Sequence, residues 1–204
     1  MPAPRTRRSA DQRRAEITDA ARELALAEGL SAVTLRAVAA RVGVASGLVA
    51  HYAPSMDELV ASTFGDIVGG ELAELAMLLS GIADPAAQVA TLLATVLDGS
   101  RTDVTLVWVQ SWGMGERNEA LAAEVRRRMD EWQQFIAALL HTGAASGDFR
   151  VEDTQGVAWL LLGMIDGLSA HTLVRWGEPE GRRELLERAV EPLLGLESGR
   201  LRSR

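Results

Sequence analysis

The chain of 204 residues has no cysteine, a single tyrosine, three phenylalanines and three histidines, and every one of its 21 basic residues is arginine. Without cysteine there is no disulfide, no thiol nucleophile and no thiolate metal site, which suits a reducing compartment. None of His51, His141 and His171 has a glutamate three residues before it, and HExxH, GxSxG and a phosphate-cradling glycine loop are all missing. The spacings that di-iron, hydrolytic and nucleotide-hydrolysing sites require are therefore absent, and neither catalytic residues, metal ligands nor a cofactor are expected. Asp, Glu or Arg interrupts each long apolar stretch before the ~20 residues a membrane span needs, so no membrane association is expected. The arginines at the N-terminus are followed by no apolar segment, which argues against a secretory signal and for a cytoplasmic location.

Acidic residues outnumber basic ones, giving a formal net charge of -7, but the two signs are unevenly distributed. Residues 1–14 hold Arg5, Arg7, Arg8, Arg13 and Arg14 against Asp11 alone, whereas residues 61–204 hold 13 arginines against 21 acids. A basic end of this kind attracts phosphate while an acidic body keeps the protein soluble.

Leucine, alanine and valine recur at helical spacing through most of the chain, and alternating β-branched strands are hard to find, so the fold class is all-α with about nine helices. The first is expected from Ser9 to Glu28, stopped by Gly29. Thr34 caps a short second helix that ends at Gly43, and a third covers Ser46 to Tyr52. Pro54 then breaks the chain, and Ser55 with Glu58 forms a capping box for a long fourth helix. Asp84-Pro85 opens the fifth, TLVWVQSW lies in the sixth, and Asn118 opens a long seventh. An eighth begins at Glu152/Asp153 and reaches about Trp176, and the last follows GEPEG. The expected division is an N-terminal arm with the first three helices over residues 1–54 and a larger domain over 55–204.

Residues 34–53, TLRAVAARVGVASGLVAHYA, place two short helices and a glycine-led turn at the spacing of a helix-turn-helix. Small Ala39 and Ala40 allow the helices to approach, and Leu35, Val38, Val42, Val44 and Val49 supply a core. The wider run, ITDAARELALAEGLSAVTLRAVAARVGV followed by Val44-Ala45-Ser46-Gly47-Leu48-Val49-Ala50-His51-Tyr52-Ala53-Pro54-Ser55-Met56-Asp57-Glu58-Leu59, resembles the TetR family of transcriptional regulators. The resemblance implies a homodimer that binds double-stranded operator DNA, usually a repressor released by a small-molecule effector, with activation as the alternative sign. It assigns Thr34, Tyr52 and the Arg5/Arg7/Arg8 arm to the DNA backbone, and Arg36 to a base or phosphate. Ser46, Gly47, Leu48 and His51 fall on or near the groove side, with a phosphate contact or packing on Tyr52 as the other readings of His51. The chain departs from the family pattern at Ala45, where a capping serine is usual, at Ala50 and Ala53, where aromatics are usual, and at Met56, where a lysine often contacts phosphate. The two alanines are expected to thin the small core, and Ser46 is a candidate replacement cap.

The run TLVWVQSWGMGERNEALAAEVRRRMDEW, followed by GDFRVEDTQGVAWLLLGMIDGLSAHTLV, resembles the subgroup of the choline-responsive repressor of the betaine pathway. In such relatives the last two long helices form the dimer interface, for which Leu160, Leu161, Met164, Leu168, Leu186 and Leu193 are candidates. Trp108, Trp112, Trp132 and Trp159 fall on helices that enclose the effector, with Asp166 and His171 nearby in sequence. These six are the candidate effector residues, as an aromatic cage for a cation, as walls for an apolar or aromatic effector, or as ordinary core packing. Gly69-Gly70, inside the long fourth helix, is a candidate bend for coupling ligand to DNA.

Overall fold

The computed structural model describes residues 9–53, 55–177 and 179–202, with backbone alone for 179 and 180. Among these residues it contains nine α-helices and no strand: α1 Ala10–Glu28, α2 Leu35–Val42, α3 Ser46–Tyr52, α4 Met56–Ser80, α5 Pro85–Leu97, α6 Thr102–Gly115, α7 Glu119–Ser146, α8 Thr154–Leu173 and α9 Pro179–Leu193. A short 3-10 turn at Leu30–Ala32 joins α1 to α2, which the helical periodicity of the sequence did not signal. The chain forms two compact units. The first comprises residues up to Ile67 with Val107–Val125, and the second comprises Val68–Leu106 with Arg126–Arg204. The unit boundaries therefore fall inside long helices, α4, α6 and α7.

In the first unit, α1 starts on a complete capping box. Ser9 Oγ accepts from the Gln12 amide at 3.1 Å, and Gln12 Oε1 accepts from the Ser9 amide at 2.9 Å. Such reciprocal caps satisfy two donors that the first helical turn leaves without partners. The α1 residues Ile17, Ala20, Ala21, Leu24 and Ala25 are buried and face α2 and α3, whose Val38, Ala39 and Val49 close the core. Thr34 Oγ1 caps α2 by accepting from the Ala37 amide. At the other end Gly43 takes φ 73°, a left-handed conformation in which its amide reaches the Ala39 and Ala40 carbonyls and the chain turns into α3. Any Cβ would be strained there.

In the second unit, α5 packs against α8 and α9. Asp84 caps α5 ahead of Pro85, its Oδ1 accepting from the Ala86 amide, while its Oδ2 meets Arg200 Nη2 at 2.9 Å. The hydrogen bond from Arg200 holds the Asp84 carboxyl below its ordinary range. Asp153 caps α8, which ends at Leu173 rather than Trp176 because the Val174–Arg175 turn interrupts it, with Arg175 at φ 55°. α9 begins at Pro179, inside the GEPEG segment, so proline opens the helix instead of preceding it. α4 runs unbroken through Gly69-Gly70. There a Cβ on Gly69 would lie 2.5 Å from the Arg128 guanidinium, so its bare backbone gives α7 a place to approach.

α8 has a mean hydropathy of 1.3 over its best 18 residues, enough by length and composition alone to cross a membrane, and 17% of that window is buried. It carries Asp166 and His171 and contributes Ala158, Leu161, Leu162 and Ile165 to the core of the second unit. Its other side leaves Trp159 72% and Leu160 44% exposed.

Candidate DNA-reading face and the tryptophan-bearing helices

On α3 the exposed residues are Ser46, Gly47, Ala50 and His51, while Val49 is fully buried and Leu48 half-buried. One face of a short helix is thus anchored on α1 and α2, and the opposite face is free along its length. No side chain caps this helix: Ala45 occupies the N-cap, and Ser46 is its first residue instead of a replacement cap. The bare start leaves backbone donors exposed, a local arrangement that favours an anion. A Cβ on Gly47 would meet nothing within 4 Å, so the glycine presents open backbone on this face.

Around α3 stand the flanking candidates. Thr34 is exposed, and because its oxygen accepts in the cap, its hydroxyl proton stays available to donate. Arg36, two residues further along, is exposed as well. Tyr52 is half-buried and meets the His51 ring edge-on at 5.1 Å, so His51 packs on Tyr52 and remains exposed at the same time. Arg41 is committed to Glu23 at 3.0 Å. Arg5, Arg7, Arg8 and Pro54 lie outside the described residues.

Ala50 is corrected by the structure: it is exposed on the free face of α3 and takes no part in the core, whereas Ala53 is buried. Ala50 also shares the free face with Ser46, one helical turn away, and the i, i+4 spacing was the available signal for it. Ser55 Oγ accepts from the Glu58 amide at 3.0 Å to start α4, which is the serine half of the expected capping box.

The six candidate effector residues fall into two groups. Trp108 and Trp112 belong to the first unit, with ring centroids 6.3 Å apart, and Trp108 meets buried Phe64 edge-on at 5.0 Å. Trp132, Trp159, Asp166 and His171 belong to the second unit. Trp132 is 4% exposed and stacks edge-on with Phe135, yet its indole Nε1 is buried without a hydrogen-bond partner, as is His171 Nδ1. Burial pushes the Asp166 carboxyl up to about 6. Trp159, by contrast, is open to solvent. Among the proposed interface leucines, Leu161 and Leu186 are fully enclosed in the core of their own unit and have no free surface to offer, whereas Leu160 is open.

Comparison with known proteins agrees with this anatomy. The family model for bacterial regulatory proteins of the tetR family matches residues 17–63, and that for the C-terminal part of BetI-type transcriptional repressors matches residues 85–195, more than half of the chain. A putative transcriptional regulator from Saccharomonospora viridis, solved in complex with choline, superposes with a TM-score of 0.78 at 25% identity, over 89% of this chain and 96% of that one. A putative transcriptional regulator from Pseudomonas aeruginosa PAO1 gives 0.74 at 21% over 99% of both chains. FadR from Bacillus subtilis, in complex with stearoyl-CoA, gives 0.67 at 17% over 84% and 96%. At the last two identities the likeness speaks for the fold. No curated protein sequence matches the chain. With both halves matched by family models, the first over the helix-turn-helix and the second over the helices that follow it, the chain belongs to the TetR family of ligand-responsive transcriptional regulators.

Proposed function

We propose that the protein is a cytoplasmic, homodimeric repressor that holds a palindromic operator and leaves it when a small molecule binds the C-terminal helices. The observation that carries the DNA reading is the exposure pattern of α3, with Ser46, Gly47, Ala50 and His51 open while Val49 anchors the helix from behind. Ser46 and His51 read base edges, and the methyl of Ala50 suits a thymine methyl. Thr34, Arg36, Tyr52 and the Arg7/Arg8 arm hold the backbone and set the register. Selection from random duplexes is expected to return an inverted repeat, and the Ser46→Ala/His51→Ala variant to lose preference for it. If no sequence is enriched at low salt, the operator reading fails.

Dimerisation is assigned to the open side of α8. Gly156, Trp159, Leu160, Gly163 and Gly167 are all exposed there, and a Cβ on Gly163 or Gly167 would meet nothing. Small residues beside a large aromatic suit close packing of two helices related by a twofold axis. On this reading Trp159 belongs to the dimer face and not to the effector site.

For the effector, Trp132, Asp166 and His171 each present a buried polar group lacking a partner or desolvated. Such groups are costly until a ligand satisfies them. A small organic cation is the favoured class, in keeping with the choline held by the Saccharomonospora relative. Calorimetric titration with choline checks this: binding weakened by Asp166→Asn supports the cation reading, and unaltered binding by that variant removes Asp166 from the site.

A further inference from the structure

A cavity lies in the first unit, against the start of α2. It measures about 650 Å³ and is built from three segments distant in sequence: Val33–Leu35 at the start of α2, Met56, Asp57 and Val60 in the first turns of α4, and Gly113–Asn118 at the junction of α6 and α7. A volume of this size is in the range of drug-sized ligand sites. Its walls are fixed by bonds of the fold. Asn118 is buried, donates from Nδ2 to the Asp57 carbonyl at 3.3 Å and accepts from the Leu121 amide at 2.9 Å, which ties the start of α7 to the start of α4. Thr34 is locked as the α2 cap.

The lining has a consistent chemistry. Val33, Leu35, Val60 and the thioethers of Met56 and Met114 give an apolar surface, and methionine adapts its shape to flat or irregular guests. The charged lining residues are Asp57, Glu116 and Arg117, all exposed, so carboxylates outnumber the single guanidinium and the balance is negative. An apolar cavity with surplus carboxylate at its edge favours a cation that carries its charge on an apolar body.

We propose that this cavity is a second small-molecule site, distinct from the effector site of the C-terminal helices, and that it takes a hydrophobic organic cation. Its position gives it a direct effect on DNA binding, a consequence that rests on the operator reading above. Thr34 and Leu35 form part of its wall, so an occupant touches the start of the helix that supports α3 and sets the Thr34 hydroxyl. Ligand and operator are then coupled, and each weakens the other by the same factor.

Tetraphenylphosphonium and tetraphenylborate share a shape and differ in sign, and their binding to the full chain without DNA can be measured by isothermal titration calorimetry. The phosphonium is expected to bind and the borate not. Gly113 lines the cavity, is exposed, and has nothing within 4 Å of a Cβ built on it, so the ring of Gly113→Phe has open space to enter from the cavity wall and is expected to abolish binding. Asp57→Asn/Glu116→Gln leaves the shape intact and is expected to weaken binding by roughly two- to tenfold, as for partly solvated ion pairs. Asp166→Asn should leave it unchanged. Equal binding of the two ions, no binding of the phosphonium, or binding that survives both cavity variants would overturn the proposal. Failure of Asp166→Asn to preserve binding would move the phosphonium to the effector site and overturn it equally. The operator plays no part in these measurements, so their result is independent of the DNA reading.

Discussion

Asp166 shows how one side chain links stability to pH and ligand. Its ordinary carboxyl value is 3.8, and burial raises it in the folded chain to about 6. The native state therefore holds a proton that the unfolded state has already lost between those two values, and stability falls as pH rises through that window. Above about pH 6 the cost is complete and amounts to roughly 3 kcal/mol as an upper figure. Urea unfolding at pH 4.5 and 7.5 is expected to show Asp166→Asn gaining stability at the higher pH and losing much of the wild-type dependence. Gly143 makes a purely steric case. Its Cβ would lie 2.2 Å from Cδ2 of buried Phe149. Overpacking of about 1–3 kcal/mol exceeds the ~1 kcal/mol that alanine gains in a helix, so Gly143→Ala is expected to lower the urea midpoint. An unchanged or raised midpoint would show that Phe149 has room to move. At Gly29, φ 89° combines with the Gln110 amide 2.5 Å from any Cβ, and Gln110 Oε1 also accepts from the Ser31 amide. The helix stop at Gly29 is a local signal that the sequence carries, whereas its partner on α6 was invisible there.

Among the elements, α8 divides its residues between two tasks. Ala158, Leu161, Leu162 and Ile165 are spent on the core, which leaves Trp159, Leu160 and the glycines Gly156, Gly163 and Gly167 on the open side. Replacing Trp159 and Leu160 with glutamate is expected to yield monomers in analytical ultracentrifugation, with association weakened roughly thirtyfold or more if they act as interface anchors. Persistence of the dimer would place the interface elsewhere. The same substitution at Leu161 is expected to unfold the second unit, because that side chain is fully enclosed. In α4, continuity through Gly69-Gly70 gives the proposed bend no visible break. Gly70 has open space around its Cβ position, so Gly70→Ala is expected to add up to ~1 kcal/mol of helix stability. If coupling between choline and operator is unaltered in that variant, Gly70 is no hinge.

At the scale of the whole molecule, the separation of charge along the chain sets the response to salt. Removal of residues 1–8 takes away Arg5, Arg7 and Arg8, and the slope of log K against log salt for operator binding is expected to fall by about 0.9 for each phosphate that the arm had neutralised. An unchanged slope would show that the arm neutralises none. The identities and order of the helices, the caps at Thr34, Ser55 and Asp84, the openings at Asn118 and Glu152/Asp153, and the register of the helix-turn-helix were legible in the sequence, because caps and the 3.6-residue period are local properties. Periodicity says that a residue is apolar on one face of its helix, and burial depends on what that face meets. Leu161 and Leu186 therefore read the same as Leu160 until α5, α8 and α9 came together, and Ala50 read as core until α3 was seated on α1 and α2. The unsatisfied Trp132 indole and the cavity between residues 33–35, 56–60 and 113–118 have no sequence signature at all. Both arise from segments far apart along the chain, whose meeting only tertiary packing decides.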